Sequence, residues 1–411
     1  MEHTFIALLA PYTRPSDLVV RSRLNYDVLV KISEYLETPG DRLSLALASR
    51  WHHFALGHTV YMHLSLWEMT KIDSLVRALL ANEGWCSAII YMTVLFPPSH
   101  TTARCTRGHY VSKESYYARR QNLTEGVFVI LKLASRLRFL SMSRFGEDSY
   151  VQSNMINTWL RGPYSFQLKS LALEASQGTL AFLKHQHQLV HLTLWPGAEY
   201  TELSQLSRLP IRLPHLQTLW ATPWWCSLIL PYSSVQHIGL LSDDPTVDED
   251  ATWKDYLDDL IAAGGYSAAT SIALEYRELF RDREHTDLPK YGKAFPSITR
   301  LGVRLPLMAS ICIESLEETL DCAKILVKRY ADSLLPTVNE LVFLRPQDIG
   351  LGSYVEQHQI VQIAGDYRED ELLNTLQALL PSLKHIDLAK TCYRRAAKEN
   401  AWHSCPRICS Y

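Results

Sequence analysis

The sequence predicts an α/β protein: a short N-terminal helical module, then an irregular solenoid of parallel strands with helices on its outer side. Three observations point there. Between residues 21 and 60 apolar side chains recur at helical spacing in two short runs. From Tyr61 to Leu388 the pattern apolar-x-x-apolar-x-apolar returns ten times. At 411 residues, 47% hydrophobic and 20% charged, the chain is long enough and ordinary enough in composition for more than one core.

The first run is amphipathic. Asn25 is placed to cap it, Asp27 puts negative charge in the first turn, and Val28, Leu29, Ile32 and Leu36 fall on one stripe. Thr38-Pro39-Gly40 is expected to break this helix, and Asp41 to cap a second one. That helix carries Leu43, Ala46, Leu47 and Arg50 toward the aromatic pair Trp51 and Phe54. Two helices this short cannot bury both of their faces between them. The remaining apolar surface has to meet a partner or another part of the chain.

These residues resemble an F-box. The usual opening of that family, Leu-Pro-x-acidic-apolar-Leu-x-x-Ile-x-x-Tyr/His-Leu, aligns without a gap with Leu24-Asn25-Tyr26-Asp27-Val28-Leu29-Val30-Lys31-Ile32-Ser33-Glu34-Tyr35-Leu36. Asp41 to Trp51 is similar to the second half, which runs acidic, apolar, small, apolar, then Ser-Arg or Cys-Arg with an aromatic. Asn25 stands where the family has Pro, and His52-His53 where a basic residue is common. The resemblance implies that Leu24, Val28, Leu29, Ile32, Leu36, Leu43, Leu47 and Trp51 dock the S-phase-kinase-associated adaptor of a cullin-RING ubiquitin ligase.

The repeated triplets are Tyr61/Leu64/Leu66, Ile89/Met92/Val94, Leu137/Leu140/Met142, Leu168/Leu171/Leu173, Leu189/Leu192/Leu194 and Leu216/Leu219/Ala221. Val235/Ile238/Leu240, Ile298/Leu301/Val303, Val338/Leu341/Phe343 and Leu383/Ile386/Leu388 complete the series. Such a series is the signature of a leucine-rich-repeat solenoid, in which each unit adds one short parallel strand. Successive starts at Leu168, Leu189, Leu216 and Val235 are 21, 27 and 19 positions apart, near the usual repeat length. Segments Asp250 to Ala263, Glu314 to Leu334 and Glu369 to Leu380 read as helices on the return limbs. The long remainder is similar in style to fungal F-box proteins with irregular repeats.

Regular repeats place Asn or Cys three residues past the last apolar position to satisfy the turn. Here that position holds Phe145, Ser176, Gly197, Trp224, Asp243, Pro306, Pro346 and Thr391, so the turns must be satisfied another way. Phe96 to Tyr117 and Leu241 to Glu249 are polar, aperiodic and Pro-containing, and are expected as long excursions. The expected organisation is an N-terminal tail (1–20), the F-box-like module (21–60), the repeat domain (61–390) and a C-terminal tail (391–411).

Net charge of −2 and a pI near 6.8 supply no field that would draw the chain to nucleic acid or to anionic lipid. No stretch approaches the ~20 apolar residues of a membrane helix. The apolar run Phe5 to Ala10 lacks a basic flank and meets Pro11, unlike a signal peptide. Eight cysteines scattered over this length read as reduced thiols, and the expected location is cytoplasmic or nuclear.

Catalytic chemistry finds little support. Gly265-Tyr266-Ser267-Ala268-Ala269 superficially resembles a nucleophile elbow. A helix precedes it and the strand-like run Ile272 to Tyr276 follows, so a helix C-cap at Gly264-Gly265 is expected instead. Cys392, His403, Cys405 and Cys409 are zinc-type ligands, but Pro406 separates the last two and no second Cys pair exists. His100, Cys105 and His109 fall in an expected loop. No enzyme activity, metal or cofactor is therefore expected.

The strands offer more. Period-two alternation sends the third, fifth and seventh positions of each unit to the concave face. In three consecutive units these are His191/Thr193/Trp195, Thr218/Trp220/Thr222 and His237/Gly239/Leu241, and Trp224 and Trp225 lie just past them. Trp195 and Trp220 are expected side by side with His191 and His237 as flanking hydrogen-bonding groups, an arrangement suited to holding a client protein. The alternative is that loops cover these tryptophans and they fill core. The expected function is substrate recognition for a ubiquitin ligase; the other reading is a repeat scaffold that engages no ligase.

Overall fold

The computed structural model describes residues 26–36, 39–49, 52, 56, 61–66, 69–81, 83–95, 113–143, 156–195, 211–241, 257–275, 292–304, 338–344, 382–387, 392–395 and 402–405. The protein is α/β with mostly parallel strands, and it divides into two compact units. One comprises 1–189 with 197–206, the other 190–196 with 207–411.

The first unit opens with α1 (Tyr26–Tyr35) and α2 (Pro39–Leu47). The first helix ends before Pro39-Gly40, as expected, but the second begins earlier than expected: Pro39 and Gly40 form the first turn of α2, and Asp41 lies within that turn and does not cap it. The first helical position has no intrahelical partner for its N–H, so a proline there loses nothing. Leu29 packs with Ala46 and Leu56 into a small core that Val30 and Leu45 border. The Arg42 guanidinium donates to the Leu36 carbonyl at 3.0 Å and so closes the end of α1.

Four parallel strands follow in chain order: β1 (His63–Leu66), β2 (Tyr91–Leu95), β3 (Phe139–Ser143) and β4 (Ser170–Glu174). Between β1 and β2 lie α3 (Met69–Ala81) and α4 (Glu83–Cys86), and α5 (Lys113–Leu133) precedes β3. Residues 113–117 of the excursion expected at Phe96 to Tyr117 are therefore helical, and 96–112 lie outside the described residues. Helices α3 and α5 meet at Gly126, where a Cβ would come within 2.6 Å of Val76 Cγ1. Only glycine permits that approach. After β4 comes α6 (Gln177–Leu183).

The second unit contains β5 (His191–Trp195), β6 (Thr218–Ala221), α7 (Pro223–Ile229), a 3₁₀ turn at Leu230–Tyr232, and β7 (His237–Leu240). It continues with β8 (Ser271–Glu275), β9 (Arg300–Arg304), β10 (Glu340–Leu344) and β11 (His385–Asp387). From β5 to β11 neighbouring strands are parallel and stand in chain order. Segment 391–411, expected as a tail, contains β12 (Cys392–Arg395) and β13 (Trp402–Cys405), an antiparallel pair that hydrogen-bonds to the edge of β11. Arg394-Arg395 hides this strand from a hydrophobicity pattern, yet Tyr393 is buried opposite Ile386.

Every one of the ten triplets coincides with a parallel strand, and the first apolar residue of each is buried just before it. The eleventh parallel strand, β8, obeys the same rule through Ala269, Ile272 and Leu274, all buried. Alanine in the first position kept it out of the pattern, although the run from Ile272 had the look of a strand. Of the helices expected on return limbs, 257–262 is helical; Glu314 to Leu334 and Glu369 to Leu380 lie outside the described residues. The helix ends as expected at Gly264 and Gly265, with φ of 92° and 76°, and the Gly265 N–H reaches the Leu260 carbonyl at 2.9 Å.

Backbone groups at the turns of the first unit are met by amides borrowed from elsewhere. Asn157 Oδ1 accepts from the Gly178 N–H at the start of α6, at 2.8 Å. Gln186 Oε1 accepts from the Leu168 N–H, and Gln167 bridges the His185 carbonyl and the His187 N–H. These contacts brace the segments ahead of β4 and β5 and the start of α6, while at the post-strand position itself Ser176 caps α6, its N–H donating to Thr179 Oγ1 at 3.0 Å.

Candidate functional site

The hairpin presents an apolar stripe on one side of α1. Val28, Ile32 and Tyr35 are 45%, 39% and 84% exposed, while Leu29 is fully buried and Leu36 half-buried. The single stripe expected from spacing is thus split: Leu29 belongs to the hairpin core, and Val28 and Ile32 face outward. Tyr35, which sequence reasoning did not single out, extends the exposed stripe by one turn. Leu43 and Leu47 lie in α2; Leu24 and Trp51 lie outside the described residues.

On the second unit, the first positions of successive strands form a row across one sheet face. His191 pairs in register with Thr218, and Thr218 with His237. Ser271 follows His237, then come Arg300, Glu340 and His385. The antiparallel pair carries the row on to Arg394 and His403. Polar groups occupy it throughout, although the residue that follows it on each strand from β5 to β11 is buried and apolar.

Its centre is electrostatically coupled. Arg300 Nε lies 3.4 Å and His385 Nδ1 3.8 Å from Glu340 Oε2. His385 does most to hold the Glu340 carboxyl below its ordinary value; burial opposes this, and Arg300 and Arg394 reinforce it. Burial pushes the His237 imidazole down, helped by the charge of Arg300 and by His191, and burial alone does the same for His191. Ser271 is 1% exposed, and its hydroxyl has no hydrogen-bond partner among the described residues.

The tryptophans occupy the same face in a different way from that expected. Trp220 pairs with Thr193 and Gly239, and a Cβ on Gly239 would fall inside its indole, under 3.0 Å from three ring atoms. The indole therefore lies flat across the neighbouring strand. It is only 3% exposed and clusters with Leu241, Ala273 and Val342, with Trp195 packed against them half-buried. The expectation of Trp220 as an open anchor is corrected: it fills core. Glycine next door and small residues beyond let a large ring settle onto the sheet, which a reading of one strand at a time cannot register. Trp225 is buried as well, edge-on to the half-buried Trp224 at 4.9 Å.

His191 and His237 do stand on the expected face, flanking Thr218. Ser271, Arg300, Glu340 and His385 were missed because only three units were compared; following the first strand position through the later units would have found them. In the first unit the corresponding row is aromatic, with His63, Tyr91 and Phe139 stacked ring on ring at 4.2 Å spacings.

Cys392 and Cys405 are register partners on β12 and β13, whereas Cys409, His100, Cys105 and His109 lie outside the described residues. Among the described residues no group of three or more His, Cys, Asp or Glu is placed to hold a metal, and no helix is long and apolar enough to cross a membrane. No protein-family model matches the chain, and no curated protein matches it.

Proposed function

We propose that this chain is the substrate-recognition subunit of a cullin-RING (SCF-type) ubiquitin ligase. In this reading α1 and α2 form an F-box-type module that docks the S-phase-kinase-associated adaptor, and a leucine-rich-repeat-like arc holds a client protein. The observation that carries the proposal is the exposed stripe of Val28, Ile32 and Tyr35 on a hairpin whose opposite side is already filled by Leu29, Ala46 and Leu56. Large apolar side chains kept in water on so short a helix mark a docking surface. The family resemblance of Leu24 to Leu36 names its occupant.

Such a subunit performs no chemistry. It raises effective concentration: a client fixed on the arc stays within reach of an enzyme delivered through the adaptor, and lysine transfer becomes nearly intramolecular. The client surface in this reading is the polar row that contains His191 and His237, with Trp195 beside it and Trp220 as packing. Co-purification with the adaptor tests the proposal. Stoichiometric recovery with the native chain and none with Ile32→Asp is the expected result; no recovery with the native chain refutes it.

A further inference from the structure

The last two strands of the sheet bring two cysteines into register. Cys392 opens β12 and Cys405 closes β13, and the two are direct partners in the antiparallel ladder. The Arg395 N–H donates to the Lys384 carbonyl at 2.9 Å, so Arg395 and, two residues back, Tyr393 bond toward β11. Cys392, one residue out of phase with Tyr393, therefore bonds toward β13. Opposed residues of such a hydrogen-bonded pair stand about 5.5 Å apart at Cα, within the ~4.4 to 6.8 Å that a disulfide spans. They also project to one face of the sheet. Alternation decides which face: Tyr393 is buried opposite Ile386, so Cys392 stands on the other side of the sheet with Arg394. That face is open to water, because Arg394 and its register partner His403, one step along from the cysteines, are both exposed.

We propose that Cys392 and Cys405 form a reversible disulfide across β12 and β13 in response to hydrogen peroxide. One thiolate attacks a peroxide oxygen; an S–O bond forms, the O–O bond breaks, water leaves, and the cysteine becomes a sulfenic acid. The second thiol displaces the hydroxyl from that sulfur, forming the S–S bond and releasing a second water. Two electrons pass from the two sulfurs to the peroxide, and each thiol proton leaves in water.

Opposed Cβ atoms in a ladder lie about 4.5 to 5.5 Å apart, against about 3.8 Å in a disulfide, so closure draws the strands together and strains the bond. A strained disulfide on an open face is easily reduced, and the thiols return once the oxidant is gone. Closed, the bond ties together the antiparallel pair that covers the edge of β11. The inference goes beyond client recognition and does not depend on adaptor docking.

The test treats the reduced, purified full chain with stoichiometric hydrogen peroxide, blocks remaining thiols with iodoacetamide, and maps the digest by mass spectrometry without reduction. A peptide pair joined at Cys392 and Cys405, lighter by two hydrogen atoms than the separate peptides, is expected. It should form about tenfold or more faster in the native chain than in the chain unfolded in urea, because the sheet pre-positions the thiols. Reduced glutathione should reopen it. With the partner thiol removed, the reaction stops at the sulfenic acid, so dimedone should label the surviving cysteine in Cys392→Ser or in Cys405→Ser. Separate alkylation of Cys392 and Cys405 after peroxide overturns the proposal, as does a crosslink that forms equally fast in urea. A bond that reduced glutathione leaves closed, or the absence of a dimedone adduct in both variants, overturns it too.

Discussion

Adding one methyl group at Gly239 should force the Trp220 indole off the sheet. The Cβ would lie under 3.0 Å from Cε3, Cδ2 and Cε2, so the ring has to move out of a cluster in which Ala273 and Val342 are already fully buried. Overpacking of that kind costs about 1 to 3 kcal/mol. Trp220→Ala leaves a void in place of the indole and costs about 3 to 5 kcal/mol. In the Trp220→Ala background the added methyl meets open space, and Gly239→Ala becomes neutral or stabilises by up to about 1 kcal/mol, since alanine loses less backbone entropy than glycine in a strand. The two changes are therefore coupled by roughly the whole overpacking penalty, far beyond the additivity expected of separate sites. Urea unfolding of the native chain, both single variants and the double variant, followed by far-ultraviolet circular dichroism, measures the cycle. If Gly239→Ala costs the same in both backgrounds, the indole does not lie across β7 and the account of this face is wrong.

The hairpin predicts contrasting variants. Leu29→Ala should destabilise the hairpin by about 2 to 5 kcal/mol, because Leu29 is fully buried, whereas Ile32→Asp should leave its melting temperature nearly unchanged and abolish adaptor recovery. Equal melting losses in both would show that Ile32 is core. Gly265→Ala should lower stability, because φ is +76° and the new Cβ would lie 2.9 Å from the Lys293 carbonyl oxygen; a melting curve identical to that of the native chain contradicts the αL cap. His237 and His191 are harder to protonate folded than unfolded, so near and below 6.5 the unfolded chain binds more protons and stability falls as pH drops. His237→Gln should flatten part of that fall in calorimetry. Glu340 contributes in the same direction at lower pH: its folded carboxyl is depressed, and its contribution is lost as pH falls below 4.5 toward the folded value.

Much of the backbone was legible in the chain. Each triplet such as Leu168/Leu171/Leu173 announced a parallel strand, because a strand packed on one side must repeat its apolar residues at alternate positions, and this periodicity is local. The hairpin from Tyr26 to Leu47 and the glycine stop at Gly264-Gly265 were readable for the same reason: capping and left-handed φ depend on a few adjacent residues. The candidate site was only half readable. His191 and His237 could be assigned a face by alternation, but the row through Ser271, Arg300, Glu340 and His385 joins residues far apart in sequence, and register alone brings them together. The depth of Trp220 was likewise decided by tertiary structure, by a glycine one strand over and by Ala273 and Val342 beyond it. Along a strand the chain dictates which side a residue faces; what lies across from it, and whether water reaches it, is settled only when the strands are stacked.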